Sequence, residues 1–197
     1  MTPSEATPGT GTPSTTPRET GTPSAGGTPS AMTTPGETPG GSPDPSESDT
    51  PPVLDQQASG RDLTVADFFE APEEWRDGRF DVASERGVPG ISGPLRTCSE
   101  DDGKAQTLEL RLANNFSRLS MRFGQGNDSE GSDAEVLVRV VGNGKFIDSG
   151  RVKFNRLETL DVAVPNVNAL KIEVYLTGNP CSSSKSVNAV ITGLRVE

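Results

Sequence analysis

Histidine is absent from this sequence, and aromatic residues and cysteines are scarce. The 197 residues include one tryptophan, one tyrosine and two cysteines. Without histidine the chain cannot build Ser-His-Asp or Cys-His catalytic groups, and two thiolates alone make a poor zinc site. Adjacent carboxylates such as Glu73 and Glu74 do not indicate a glycosidase, because that chemistry needs two carboxyl groups across a cleft. We therefore expect no enzymatic activity and no cofactor.

Positive charge and long apolar runs are also lacking. The chain has 18 basic and 28 acidic side chains, a net charge of −10, which disfavours nucleic acid and anionic membrane surfaces. No apolar run reaches the roughly 20 residues that a spanning helix needs. The first 30 residues have no hydrophobic core of the signal-peptide kind. We expect no nucleic-acid partner and no membrane insertion by this segment, with any signal or anchor outside this sequence.

Proline and threonine are concentrated at the N-terminus. Residues 1–58 hold 12 of the 17 prolines, mostly in Thr-Pro pairs, and almost no large apolar side chains. Such a segment cannot bury enough surface to offset its chain entropy. Its composition is typical of O-glycosylated stalks, with a linker that carries no sugar as the alternative. We expect a disordered linker or stalk over residues 1–58 and a folded domain over residues 59–197.

The remainder of the chain alternates apolar and polar residues in short runs. The runs are "TLELRL", "LSMRFG", "EVLVRVVG", "TLDVAVP" and "LKIEVYLTG". Alternation with a period of two is typical of strands with one buried face. Turn residues separate the runs, which favours an antiparallel sandwich or barrel. We therefore predict an all-β domain, in which only "VADFFEAPEEW" has room for a turn or two of helix before Pro72 limits it.

One hairpin is signalled strongly. Val136, Val138 and Val140 alternate with other residues, and Asn143-Gly144 follows before a second short apolar run. Asn-Gly between two such runs favours a tight hairpin because both residues tolerate positive φ. The turn should fix the register of two strands whose inward residues build the core.

The segment that contains this hairpin resembles a known family. "NNFSRLSMRFGQGNDSEGSDAEVLVRVVGNGKFIDSGRV" resembles the NPCBM/NEW2 family of carbohydrate-binding modules, which are attached to secreted glycosidases and other surface proteins. The positions that match the family pattern are 116–118, loosely 124–128, Val136, Val138, Val140, Asn143, Gly144, Lys145, Ser149 and Gly150. The family's aromatic-Gly-His segment and its closing acidic-Trp-Ala motif are replaced here by "PLRTCSEDDGKAQTLEL" and "SVNAVITGL".

The resemblance implies both a fold and a class of function. The fold it implies is a galactose-binding-domain-like jelly roll, a β-sandwich of two antiparallel sheets. The function it implies is a non-catalytic extracellular or cell-surface module that recognises a ligand, with a glycan as the ligand of the family. The alternative is a sensor or protein-interaction ectodomain of a bacterial membrane protein, such as a receptor Ser/Thr kinase, with a cell-surface protein as partner. We expect a monomer in either case.

Candidate ligand-binding residues are few. Trp75 and Tyr175 are the aromatic side chains that a sugar platform would use, with ordinary packing as the alternative for both. Asp128, Glu130 and Asp133 offer hard oxygen donors in the loop "GNDSEGSD". Galactose-binding-like folds often hold a structural calcium ion, but the spacing is not that of an EF-hand, and an acidic surface loop is the alternative.

The two cysteines, Cys98 and Cys181, lie in polar, turn-like surroundings, "RTCSEDD" and "GNPCSSS". Such surroundings suit a surface disulfide better than two thiols in a core. An oxidising compartment is the condition for the bond, and two free thiols are the alternative. We expect the disulfide to join the segment before "TLELRL" to the segment before the last strand.

Overall fold

The computed structural model of this chain describes residues 52–96, 105–130, 133–178 and 186–197. Residues 1–51, which make up most of the predicted disordered tail, lie outside these ranges. Within the described residues, the chain forms nine β-strands and two short 3-10 helices. The strands are β1 Arg76–Val82, β2 Glu85–Leu95, β3 Gln106–Arg111, β4 Arg118–Gln125, β5 Glu135–Gly142, β6 Lys145–Lys153, β7 Leu157–Ala163, β8 Ala169–Thr177 and β9 Val187–Val196.

The strands form two antiparallel sheets that pack face to face. One sheet has five strands in the order β1-β2-β9-β4-β7, and the other has four in the order β3-β8-β5-β6. From β2 to β9 the chain crosses repeatedly between the sheets, which gives the strand order of a jelly roll with β1 added at one edge. The predicted all-β antiparallel sandwich is therefore confirmed.

The core follows the alternation seen in the sequence. Leu108 and Leu110 of β3, Val136 and Val138 of β5, and Ile172 of β8 are all fully buried in one cluster. All five predicted runs became strands, because each presents one apolar face that only a second sheet can remove from water.

The predicted hairpin is present, with one feature that the sequence did not reveal. Asn143 and Gly144 have φ of 48° and 76°, as a tight turn between β5 and β6 requires. The register shifts between Val140 and Val141, so that Ile147 is an extra residue on β6. This bulge turns Ile147 toward the core and leaves Phe146 opposite Val141.

Strands β1 and β2 were not predicted. Their segment, "RDGRFDVASERGVPGISGPL", has few apolar residues and several glycines, so it has no clear alternation. They pair as a hairpin, and β2 pairs with β9 from Gly90 to Leu95. Backbone pairing with a central strand thus forms two strands that their own side chains did not indicate.

The packed region begins before the predicted boundary at residue 59. Leu54 and Ala58 are buried in the core cluster. The backbone N–H of Leu54 donates to the carbonyl of Arg111 at 2.8 Å, so this segment runs beside the edge strand β3. The helical turn predicted in "VADFFEAPEEW" is the 3-10 helix Val65–Asp67. No helix among the described residues is long and apolar enough to cross a membrane.

Candidate functional site

The outer face of the four-stranded sheet, called the four-stranded face below, presents an ordered set of side chains. Because alternate residues of a strand point to opposite faces, the register places them in rows across β3, β8, β5 and β6. The rows are Glu109, Lys171, Val141 and Phe146; then Thr107, Glu173, Arg139 and Ser149; then Tyr175, Leu137 and Arg151; then Thr177, Glu135 and Lys153.

Phe146 is the most exposed aromatic residue among the described parts of the chain. Its side chain is 58% exposed at the end of the β5–β6 hairpin. The guanidinium carbon of Arg139 lies 5.9 Å from the centre of its ring, within the range of a cation–π contact. The bulge at Ile147 gives the ring this position, so an apolar surface faces solvent beside a fixed charge.

Tyr175 lies on the same face but is buried. Its hydroxyl group donates to Glu173 Oε2 at 2.9 Å and accepts from Arg139 Nη1 at 3.1 Å. Arg139 is also 3.6 Å from Glu173 Oε2 and 5.7 Å from the centre of the tyrosine ring. The three side chains therefore hold one another in place, and Arg139 lies between the rings of Tyr175 and Phe146.

The environment of Tyr175 changes its acidity. Burial, with the hydrogen bond to Glu173 and its negative charge, raises the pKa of the Tyr175 phenol to about 12, although Arg139 lowers it. Tyr175 therefore stays protonated at neutral pH and acts as a hydrogen-bond donor to Glu173. It supports Arg139 and does not offer its own ring to a ligand.

A second charged cluster lies at the opposite edge of the four-stranded face. Glu109 is buried, with Arg111 Nη2 at 2.5 Å and Lys171 Nζ at 3.5 Å. Arg111 also covers the ring of Phe69, with 4.2 Å from its guanidinium carbon to the ring centre. The carboxylate is thus enclosed, while both basic groups lie above it.

Trp75 is packed inside the protein, as in the alternative to its role as a sugar platform. It is buried in the core cluster. A Cβ atom added at Gly93 would lie 2.4 Å from Trp75 Nε1, so the indole rests directly on the backbone of β2. Its ring faces are covered by protein. Phe146, which the sequence analysis did not single out, is an exposed aromatic side chain instead.

The three acidic candidates for calcium bind other groups or remain apart. Asp128 Oδ2 accepts from Asn188 Nδ2 at 3.0 Å, and Glu130 Oε2 accepts from the Ser186 backbone N–H and hydroxyl at 3.4 Å. Among the described residues, no group of three acidic, histidine or cysteine side chains is arranged to hold a metal ion. Asp128 and Glu130 thus fasten their loop to the start of β9, and Asp133 does not join them in a cluster.

Cys98 and Cys181 lie outside the described residues. Leu95, the last residue of β2, precedes Cys98 in the sequence, and Val187, the first residue of β9, follows Cys181. These two residues pair across β2 and β9. The strand that follows Cys98 is β3, which lies in the other sheet. The strand that pairs with β9 at this end is therefore β2, which precedes Cys98, and not β3, which follows it.

Comparisons with known proteins give weak similarities. No family model matches the sequence, and no curated protein matches it. Among solved structures, the chain is similar to CBM51 from Clostridium perfringens GH95 in complex with methyl-galactose, at 12% identity and a TM-score of 0.45, over 62% of this chain and 81% of that one.

Two further solved structures show the same level of similarity. One is CBM28, a carbohydrate-binding module specific for non-crystalline cellulose, at 11% identity and a TM-score of 0.45, over 74% of this chain and 96% of that one. The other is the secreted serine protease VesC from Vibrio cholerae, at 12% identity and a TM-score of 0.39, over 68% of this chain and 27% of that one. At these values the similarities assign neither a ligand nor an activity to this chain, and the NPCBM/NEW2 resemblance stays a prediction.

Proposed function

We propose that this protein is a non-catalytic, extracellular carbohydrate-binding module and that the four-stranded face is its ligand surface. The observation that carries the proposal is the exposed ring of Phe146 beside Arg139, which Tyr175 and Glu173 hold in place. Sugars present apolar C–H faces and a rim of hydroxyl groups. An exposed aromatic ring with fixed polar groups next to it matches both parts of such a ligand.

The three described carboxylates whose pKa values are shifted all lie in ion pairs with arginine side chains. Arg61 holds the pKa of Asp67 at about 2, and Arg122 lowers the pKa of Glu85. Arg118 likewise lowers the pKa of Asp161. A glycosidase needs one carboxyl group whose pKa is raised, so that it can donate a proton near neutral pH. These three groups are shifted in the opposite direction.

The test is a binding experiment with the full chain and a Phe146→Ala variant. A panel of soluble polysaccharides, screened by affinity gel electrophoresis and followed by calorimetry, identifies a ligand. We expect Phe146→Ala to weaken its binding by at least about tenfold, because truncating a central aromatic contact costs about 1.4 kcal/mol or more. Phe80→Ala is the matched control, since Phe80 is a half-buried phenylalanine on β1 in the other sheet.

Three results are decisive. Loss of binding in Phe146→Ala but not in Phe80→Ala, with unchanged melting temperatures, supports the proposal. Equal binding by both variants would move the site away from the four-stranded face. A failure of every polysaccharide to bind would refute carbohydrate recognition and leave the sensor or protein-interaction ectodomain as the remaining proposal.

A further inference from the structure

The four-stranded face carries more basic than acidic side chains, although the whole chain has a net charge of −10. Its outward positions hold five basic and three acidic residues: Arg111, Arg139, Arg151, Lys153 and Lys171 against Glu109, Glu135 and Glu173. Such a local excess in an acidic protein is a property of this face and does not follow from composition.

The acidic groups of this face lie deeper than the basic groups that pair with them. The side chain of Glu109 is 7% exposed and that of its partner Lys171 is 48% exposed. Glu135 is 23% exposed and its partner Lys153 is 79% exposed. The carboxylates lie close to the sheet and the ammonium groups reach over them, so solvent meets mainly positive charge.

Two ion pairs on the outer face of the five-stranded sheet do not show this difference in depth. They expose both partners similarly, with Arg118 at 55% and Asp161 at 40%, and Arg195 at 47% and Asp62 at 45%. The two charges of each pair are equally available to solvent and cancel at a distance. The deeper carboxylates of the pairs Lys171–Glu109 and Lys153–Glu135 therefore distinguish the four-stranded face from the face that carries these two arginine pairs.

We propose that the ligand of this face is an anionic polysaccharide, with carboxylate or sulfate groups on its sugar rings. This inference rests on the proposed carbohydrate-binding function and adds the chemical class of the ligand. The ring of Phe146 stacks on the apolar face of one sugar ring. Lys171 lies two strands away in the same row, at about 10 Å for a strand spacing of about 4.8 Å. A polysaccharide that crosses the strands therefore places its acidic groups over basic side chains.

The experiment uses the full chain and two pairs of polymers. Polygalacturonate is compared with its methyl ester, and dextran sulfate with dextran, so that each pair has one backbone with and without charge. We expect the charged member of at least one pair to bind in about 0.1 M salt. We also expect its binding to fall in about 1 M salt, where the Debye length shrinks to about 3 Å.

The variants separate this face from net charge. Lys153→Gln combined with Lys171→Gln should weaken binding of the charged polymer about five- to tenfold. The control combines Arg118→Gln with Arg195→Gln, which removes the same two charges from the other sheet. An equal loss in both double variants would overturn the proposal, because net charge and not this face would then govern binding.

Other outcomes distinguish the two proposals. If each neutral polymer binds as tightly as its charged counterpart and Phe146→Ala abolishes both, the anionic ligand is refuted and the carbohydrate-binding module stands. If no polysaccharide binds, both proposals fail. If single-stranded DNA binds as tightly as the charged polysaccharide, the proposal also fails, because the face then selects charge alone.

Discussion

At the scale of single residues, the structure shows that position on a face and exposure are separate properties. Tyr175 and Phe146 both lie on the four-stranded face, but the first is buried and the second is exposed. A tyrosine on the outward side of a strand was a reasonable platform candidate. Its hydroxyl group instead joins Arg139 and Glu173, so its contribution to a ligand site is to position Arg139.

The raised pKa of Tyr175 can be measured directly, because Tyr175 is the only tyrosine in the chain. A spectrophotometric titration of the folded protein should show one phenol ionising near pH 12 instead of its usual 10. The folded state binds this proton more tightly than the unfolded state does. The corresponding stability is therefore present below pH 10 and is lost as the pH rises through 12.

The variant Glu173→Gln provides the control for this titration. It keeps a hydrogen-bond acceptor next to the phenol but removes the negative charge that raises its pKa. We expect its phenol to ionise between pH 10 and 12, because burial still raises the pKa and Arg139 still lowers it. A wild-type transition at about 10, with native circular dichroism throughout, would contradict the burial of Tyr175.

At the scale of elements, the segment before the first strand belongs to the fold. Leu54 is buried, its N–H donates to Arg111, and its carbonyl accepts from Asn115 Nδ2 at 3.3 Å. Arg61 and Asp67 then form an ion pair at 2.5 Å, and Thr64 donates to Asp67. The backbone bonds of Leu54 to Arg111 and of Glu70 to Glu109 cover one side of β3, which would otherwise be an open sheet edge.

A truncation tests the role of this segment. A chain that begins at residue 52 should be more stable than one that begins at residue 59, because the shorter chain loses the buried Leu54 and its hydrogen bond to β3. Removing a buried leucine costs about 2–5 kcal/mol, and Leu54→Ala in the longer chain should give a similar loss. Urea unfolding of the three proteins measures this. Equal midpoints would show that the fold begins after Leu54.

At the scale of the whole molecule, the pairing of β2 with β9 bears on the predicted disulfide. Cys98 follows Leu95 by three residues and Cys181 precedes Val187 by six, and Leu95 pairs with Val187. Connections this short between paired residues allow the two sulfur atoms to meet. The bond would close a loop of 84 residues, from position 98 to position 181.

We predict that the exported protein contains this disulfide and that it stabilises the fold. The chain-entropy estimate for a loop of this length is about 4–5 kcal/mol, less any strain. Mass spectrometry of unreduced protein should find no free thiol, and reduction or Cys98→Ser should lower the melting temperature. Two free thiols in native material exported to an oxidising compartment would contradict the bond. An unchanged melting temperature after reduction would leave the bond and remove its stabilising role.

Local patterns determined a large part of this protein. The alternating runs fixed five strands and their inward faces, because a period of two leaves one apolar face that must be buried. Asn143-Gly144 fixed the hairpin, because few other residue pairs adopt positive φ at both positions. These features depend on neighbouring residues only, so they can be predicted from a single sequence.

The tertiary structure decided the strand order, the two strands β1 and β2, and the candidate site. Gly90 and its neighbours have too few apolar side chains to indicate a strand, and they become one by pairing with β9. Phe146 faces solvent because the bulge at Ile147 changes which side chains point inward. The five basic and three acidic side chains of the four-stranded face come from four strands brought side by side, with Glu109 beneath Lys171. Such properties depend on residues far apart in sequence, and only the packing of the sheets brings them together.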